Sequence, residues 1–235
     1  MANEENKNYY LKKKRTLMRT FKTGLIIVKD ILIEQFGGTK FEEISAITTK
    51  EFEALIPQIP YVVENQNHLT EALINSALLL PFLRFFEKEG LNYNEIGRLT
   101  YDMFEAFFKV IPSTDDIFSE EYINQLKENA KKSKLRKYEG DWVYDFIEGD
   151  GGTFTFGIDY YECGLFKFYR SQGVEHFMPI VCVSDFTGAQ AYGYGLKRTQ
   201  TIGNGAAICD FRFNKNGSTP RAWPPDHLPE FKKKF

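Results

Sequence analysis

The residues of this chain whose types and spacing could do chemistry crowd into one stretch, from Gly157 to Phe213. It holds all three cysteines of the 235-residue sequence, Cys163, Cys182 and Cys209, with Glu162, Asp185, Arg198, Thr199, Thr201 and Asp210 around them. Cys163 stands where an alternating strand pattern passes through Gly164 into a helical one. A thiol at a helix N-terminus feels the positive end of the macrodipole, which lowers its pKa and favours the nucleophilic thiolate. The competing reading is a small buried residue, because cysteine is among the most buried types. Cys182 and Asp185 fall three apart in an expected helix and so share a face. A carboxylate on a buried face is costly unless paired, and Arg198 is the candidate partner. Two readings stay open there. One is a structural pair of Asp185 with Arg198. The other makes Asp185 a general acid or base and Arg198 a planar fork for a substrate carboxylate.

Cys209 reads as core or as lining of a substrate site, with Asp210 beside it and Thr199 opposite. On paper the three thiols and His176 form a zinc-type donor set. No CxxC or HxxxH spacing supports it, and no cofactor is expected. Nor does the chain carry a dinucleotide-binding GxGxxG after a strand, a phosphate-binding P-loop or a GxSxG elbow.

The elements that must position these residues follow from periodicity. From Gly140 onward, Trp142, Tyr144 and Phe146 alternate as a strand, and Glu148 to Gly152 is rich in residues that accept turn conformations. Phe154, Phe156, Ile158 and Tyr160 alternate on one face of a second strand, with Thr155, Asp159, Tyr161 and Cys163 on the other. Leu165 to Ser171 reads as a short helix, and Pro179 suits the first turn of another that runs to about Tyr192 before Gly193. Leu196 to Ile202 and Ala207 to Phe213 read as a second hairpin, turning on Asn204-Gly205 as a type I′ turn. That register opposes Thr199 to Asp210 and Gln200 to Cys209. It gives Arg198, Cys209, Phe211 and Phe213 one face, and Lys197, Thr199, Thr201, Asp210 and Arg212 the other.

Upstream the period is helical. Leu17, Phe21, Leu25, Val28 and Leu32 form a stripe in a first helix from Tyr9 to Phe36, ended by Gly37-Gly38. Further helices are expected from Thr48 to Ile56, from Thr70 to Gly90, from Asn94 to Val110 with Pro112 closing it, and from Ser119 to Arg136. Tyr101, Phe104, Phe107 and Phe108 read as a core stripe. The fold class is therefore α+β, an N-terminal helical half followed by an antiparallel sheet of two hairpins covered by helices. Residues 1–137 form the helical region, 138–216 the α+β domain with the cysteines, and 217–235 a Pro-rich tail that is extended over the surface or disordered.

Composition bounds the partners. A net charge of −2 argues against nucleic acid or an anionic membrane surface. The apolar run Leu73 to Phe86 falls short of the roughly 20 residues a bilayer needs, so it reads as a buried helix. Three cysteines is an odd count and the N-terminus lacks a signal-peptide pattern, which points to reduced thiols in the cytoplasm. A small-molecule substrate is expected, and the sequence leaves a homo-oligomer open.

Taken as a set, several motifs resemble a known family, the L-2-amino-thiazoline-4-carboxylic acid hydrolases. They are Trp142, Glu148-Gly149-Asp150, the DYYECG run ending at Cys163-Gly164, Pro179 with Cys182 and Asp185, Arg198-Thr199-x-Thr201, and Cys209-Asp210-Phe211-Arg212. A weaker likeness extends through Leu55-Ile56-Pro57 and the helices either side of Gly90, so the resemblance is expected over most of the chain. It implies a hydrolase that opens a cyclic amidine bearing a carboxylate, giving a carbamoyl-cysteine. In that reaction Cys163 or Cys182 attacks the amidine carbon, Asp185 moves the proton, and Arg198 binds the carboxylate with Thr199, Cys209 and Asp210 near it. A more distant similarity to 4-vinyl-reductase-type domains implies the alternative, a non-catalytic small-molecule or metal-binding sensor module.

Overall fold

A single glycine separates two long helices. α1 (Lys14–Phe36) buries the expected stripe of Leu17, Phe21, Leu25, Val28 and Leu32. Gly37 then takes φ +83°, a left-handed conformation that glycine adopts at little cost. α2 (Gly38–Leu55) follows at once. The helix expected from Thr48 thus begins at Gly38, because Phe41 and Ile44 continue the buried stripe of Thr48, Phe52 and Leu55 at helical spacing.

The computed structural model describes residues 9–62, 67–111 and 116–231. The chain divides into two units, Met1–Phe107 and Phe108–Phe235. In the first, α1 and α2 pack with α3 (Asn67–Lys88), and Phe21 stacks on Phe52 at 4.8 Å and on Phe82 at 5.6 Å between ring centroids. The apolar run in α3 belongs to a longer segment, Leu69–Lys88, which by length and composition could cross a membrane. Most of that segment is instead buried in the protein. α4 (Tyr93–Val110) starts on a capping box, in which Asn92 Oδ1 accepts from the amides of Asn94 and Glu95 while Glu95 accepts from the Asn92 amide. Its buried side is Ile96, Leu99, Thr100, Tyr101 and Met103. Phe104, Phe107 and Phe108, expected in the core, are half-buried. Pro112, expected to close α4, lies outside the described residues.

The second unit carries α5 (Glu120–Ser133), β1 (Val143–Glu148), β2 (Phe156–Glu162), α6 (Gly164–Ser171), α7 (Met178–Cys182), α8 (Ser184–Tyr192), β3 (Gly195–Lys197) and β4 (Cys209–Asn214). The four strands form one antiparallel sheet in the order β1-β2-β4-β3. The α+β class read from the sequence is therefore the fold of the chain. β1 and β2 make the first hairpin, and Asp150 caps its turn by accepting from the amides of Gly152, Thr153 and Phe154.

β3 and β4 pair as Leu196 with Phe213 and Lys197 with Arg212. Continued along the strands, this is the expected register, with Thr199 opposite Asp210. The turn differs from expectation. A type I′ turn needs positive φ at both Asn204 and Gly205, and only Gly205 has it, at +87°. Residues Ile202–Asn204 form a 3-10 turn instead, because the Thr201 hydroxyl caps it by accepting from the Asn204 amide. The tail is neither loose nor merely laid on the surface. Ala222, Trp223, Leu228 and Phe231 are buried, and the Thr219 hydroxyl accepts from the Leu196 amide and donates to the Tyr194 carbonyl.

Candidate functional site around Asp185 and Arg198

The helix expected from Pro179 to Tyr192 is two helices, with α7 ending at Cys182 and α8 starting at Ser184. The break is what builds the site. Carbonyls in the last turn of a helix have no partner within it, and the carbonyl of Cys182 is taken by Arg198, whose Nη2 donates to it at 2.9 Å. The Arg198 Nη1 donates to Asp185 Oδ2 at 2.6 Å. The guanidinium also lies over two rings, with Cζ 4.9 Å from the centroids of both Phe186 and Phe211. Strand register delivers this contact, because Arg198 continues β3 on the face of Phe211 and Phe213.

Exposure within the pair is uneven. The Arg198 side chain has 0% of its surface exposed and the Asp185 side chain 41%. The cation is sealed in, and the carboxylate it holds faces outward. This geometry departs from the expectation of a guanidinium fork open to a substrate.

The three thiols gather around the same pair. Cys163 occupies the N-cap position of α6, as expected. Its pKa nevertheless moves up, because burial outweighs the opposing pull of the Phe166 and Leu165 amides. A macrodipole lowers a thiol's pKa only where the thiolate keeps enough solvation, and here desolvation wins. Burial also pushes Cys182 well above its ordinary range, against the charge of Arg198, and Cys209 up to about 12. A Cβ at Gly203 would lie 3.1 Å from Cys182 Sγ, and the Ile202 amide donates to Cys209 Sγ at 3.2 Å. The Ile202–Asn204 turn therefore packs against both thiols.

Not every expected residue joins this group. Asp210 accepts from the Thr199 amide and hydroxyl at 2.8 and 2.5 Å and from the Gln200 amide at 2.9 Å. That cluster stands on the opposite face of the sheet from Arg198 and Cys209. His176 is exposed against Phe177, with ring centroids 4.1 Å apart. Among the described residues no group of three or more His, Cys, Asp and Glu side chains converges as a metal site. Glu162 holds Lys167 at 2.6 Å and Arg136 at 2.7 Å, away from the thiols.

Aromatic residues that the sequence did not assign to the site complete the surroundings. Tyr160 and Tyr194 are both near enough to Asp185 for its charge to act with burial in raising their pKa values. The alternation of Phe156, Ile158 and Tyr160 with Phe211 and Phe213 carried that signal, and only the sheet's strand order brings it to Asp185.

Residues 113–213 match the family model of the L-2-amino-thiazoline-4-carboxylic acid hydrolases. No curated protein and no solved structure matches the chain. The resemblance read from the sequence thus holds over this segment, which contains the sheet, all three cysteines, Asp185 and Arg198. It does not extend over residues 1–112. The match supports a hydrolase-like function in general.

Proposed function

We propose that this chain hydrolyses a small cyclic amidine bearing a carboxylate, of the aminothiazoline-carboxylate kind, with Asp185 as its acid and base. Water adds to the carbon between the ring sulfur and the nitrogens, and the carbon–sulfur bond breaks. Asp185 takes one proton from the adding water and returns it to the departing sulfur, while the water's other proton passes to the ring nitrogen, leaving a carbamoyl-cysteine with a free thiol. The reaction as written needs only water, and no cofactor is proposed.

The observation that carries this reading is the half-exposed carboxylate of Asp185 held by a guanidinium with no exposure of its own. Such a carboxylate is fixed in position and still reachable. Arg198 is assigned to holding Asp185 rather than to the substrate's carboxylate. The thiols, kept protonated by burial, line the site rather than attack. The family match over 113–213 supports the reaction class.

A panel of thiazoline and related cyclic amidine carboxylates, assayed by release of thiol, tests the proposal. Asp185→Asn is expected to lower kcat/KM by about 10²- to 10⁴-fold, the usual worth of a positioned acid or base. A variant within threefold of the parent, or a parent that opens none of the panel, would sink the reading. Binding without turnover would leave the small-molecule-binding module.

A further inference from the structure

The rings beside Asp185 form a connected row. Phe118 meets Tyr194 at 5.8 Å between centroids, Tyr194 meets Phe213 at 6.0 Å, Phe213 meets Phe211 at 6.0 Å, and Phe211 meets Tyr160 at 5.5 Å. All five are half-buried, so they touch one another and still present surface. Asp185 acts electrostatically on Tyr194 and on Tyr160, which stand toward opposite ends of the row. Burial is the first cause that holds both hydroxyls in the neutral form; the charge of Asp185 comes next for Tyr194, and behind those of Tyr144 and Tyr122 for Tyr160.

An outward-facing carboxylate beside several ring faces is complementary to positive charge, because the face of an aromatic ring is the negative part of its quadrupole. The row already holds one such cation. Arg198, a flat guanidinium, lies over Phe211 at 4.9 Å and donates to Asp185. A second flat cation could use the neighbouring rings and the exposed part of the same carboxylate in the same way.

We propose that this site recognises its ligand as an amidinium cation, with the N–H groups directed at Asp185 and the plane resting on Tyr194 and Phe213. The proposal rests on Asp185 being the acid and base of the site, and it adds which charge is read. The amidine enters protonated, the form in which its central carbon is most open to water. Recognition then depends on positive charge at the reacting end, and the substrate's carboxylate is secondary.

Binding to the full chain, measured by calorimetry, separates this from the hydrolase reading. The probes are 2-amino-2-thiazoline, a cation at neutral pH with no carboxylate, and 2-methyl-2-thiazoline, a neutral molecule of similar shape. The cation is expected to bind at least about 10-fold more tightly. That preference should disappear in Asp185→Asn, and affinity should fall about 3- to 10-fold in Tyr194→Leu but hold in Tyr194→Phe. Equal affinity for the two probes, no binding of the cation at millimolar concentration, or equal loss in Tyr194→Phe and Tyr194→Leu would overturn it. Selective binding of the cation with no ring opening anywhere in the panel keeps this proposal and removes the hydrolase. Ring opening without preference for the cation does the reverse. Melting curves identify a Tyr194→Leu that has lost its fold, and Asp185→Asn then carries the test.

Discussion

Replacing Arg198 with lysine separates holding Asp185 from binding a ligand. The guanidinium makes two directed hydrogen bonds, 2.6 Å to Asp185 and 2.9 Å to the Cys182 carbonyl, while it lies over the Phe186 and Phe211 rings. Lysine keeps the charge but offers a compact ammonium without a planar fork, so one of the two bonds and most of the stacking are lost. A hydrogen bond to a charged group is worth about 1.5 to 3 kcal/mol. Solvent reaches Asp185, whose side chain is 41% exposed, and moves the expected loss toward the lower end. A loss of about 2 kcal/mol lowers the melting temperature by about 4 to 8 °C in a protein of this size class. Catalytic efficiency should fall about tenfold with it, because Asp185 loses its fixed position, and KM should change little. Calorimetric melting and steady-state kinetics on the same preparation read both. An unchanged melting temperature with KM raised more than tenfold for carboxylate-bearing substrates alone would refute the reasoning and return Arg198 to the substrate.

Cys209 should make the fold sensitive to alkali. Its pKa rises from 9.0 to about 12, so between those values the native state keeps a proton that the unfolded state releases. Its contribution is complete below pH 9 and is lost as pH climbs toward 12, on the order of 4 kcal/mol in all. Urea unfolding from pH 8 to 10.5 should fall more steeply for the parent than for Cys209→Ala, and parallel curves would show that the thiol is not so buried. At Gly164 an added Cβ would stand 2.4 Å from the Gly140 carbonyl oxygen and 2.6 Å from the Trp142 ring. Gly164→Ala should therefore cost about 1 to 3 kcal/mol, whereas Gly152→Ala, with nothing within 4 Å, should melt near the parent; equal melting of the two would contradict the close approach.

The sheet was legible where alternation and loop length constrain each other. Shifting β4 by one residue would move Phe211 and Phe213 to the face of Lys197, so Thr199 could be set against Asp210 without knowing the turn. Direction of burial was less legible. Arg198 and Asp185 were paired from their cost of burial, but which of the two stays exposed depends on Phe186 and Phe211 closing over the guanidinium, and no spacing rule encodes that. The thiolate expectation for Cys163 failed because position at a helix start is local and desolvation is not. The break at Val183 escaped because no glycine or proline marks it. The tail's prolines said only that it would not be helix or inner strand, while Trp223 and Phe231 decide where it docks.

The sheet's two outer strands are both occupied by side chains that imitate a neighbouring strand. On β1, the Ser133 hydroxyl lies 3.1 Å from the Tyr144 amide and 3.3 Å from its carbonyl. On β3, the Thr219 hydroxyl takes the Leu196 amide and the Tyr194 carbonyl. An open strand edge invites another chain to add to the sheet, and here a hydroxyl on each side already takes one amide and one carbonyl that such a chain would pair with. Strand-to-strand growth, whether into a dimer or a fibre, would first have to displace the end of α5 or the docked tail.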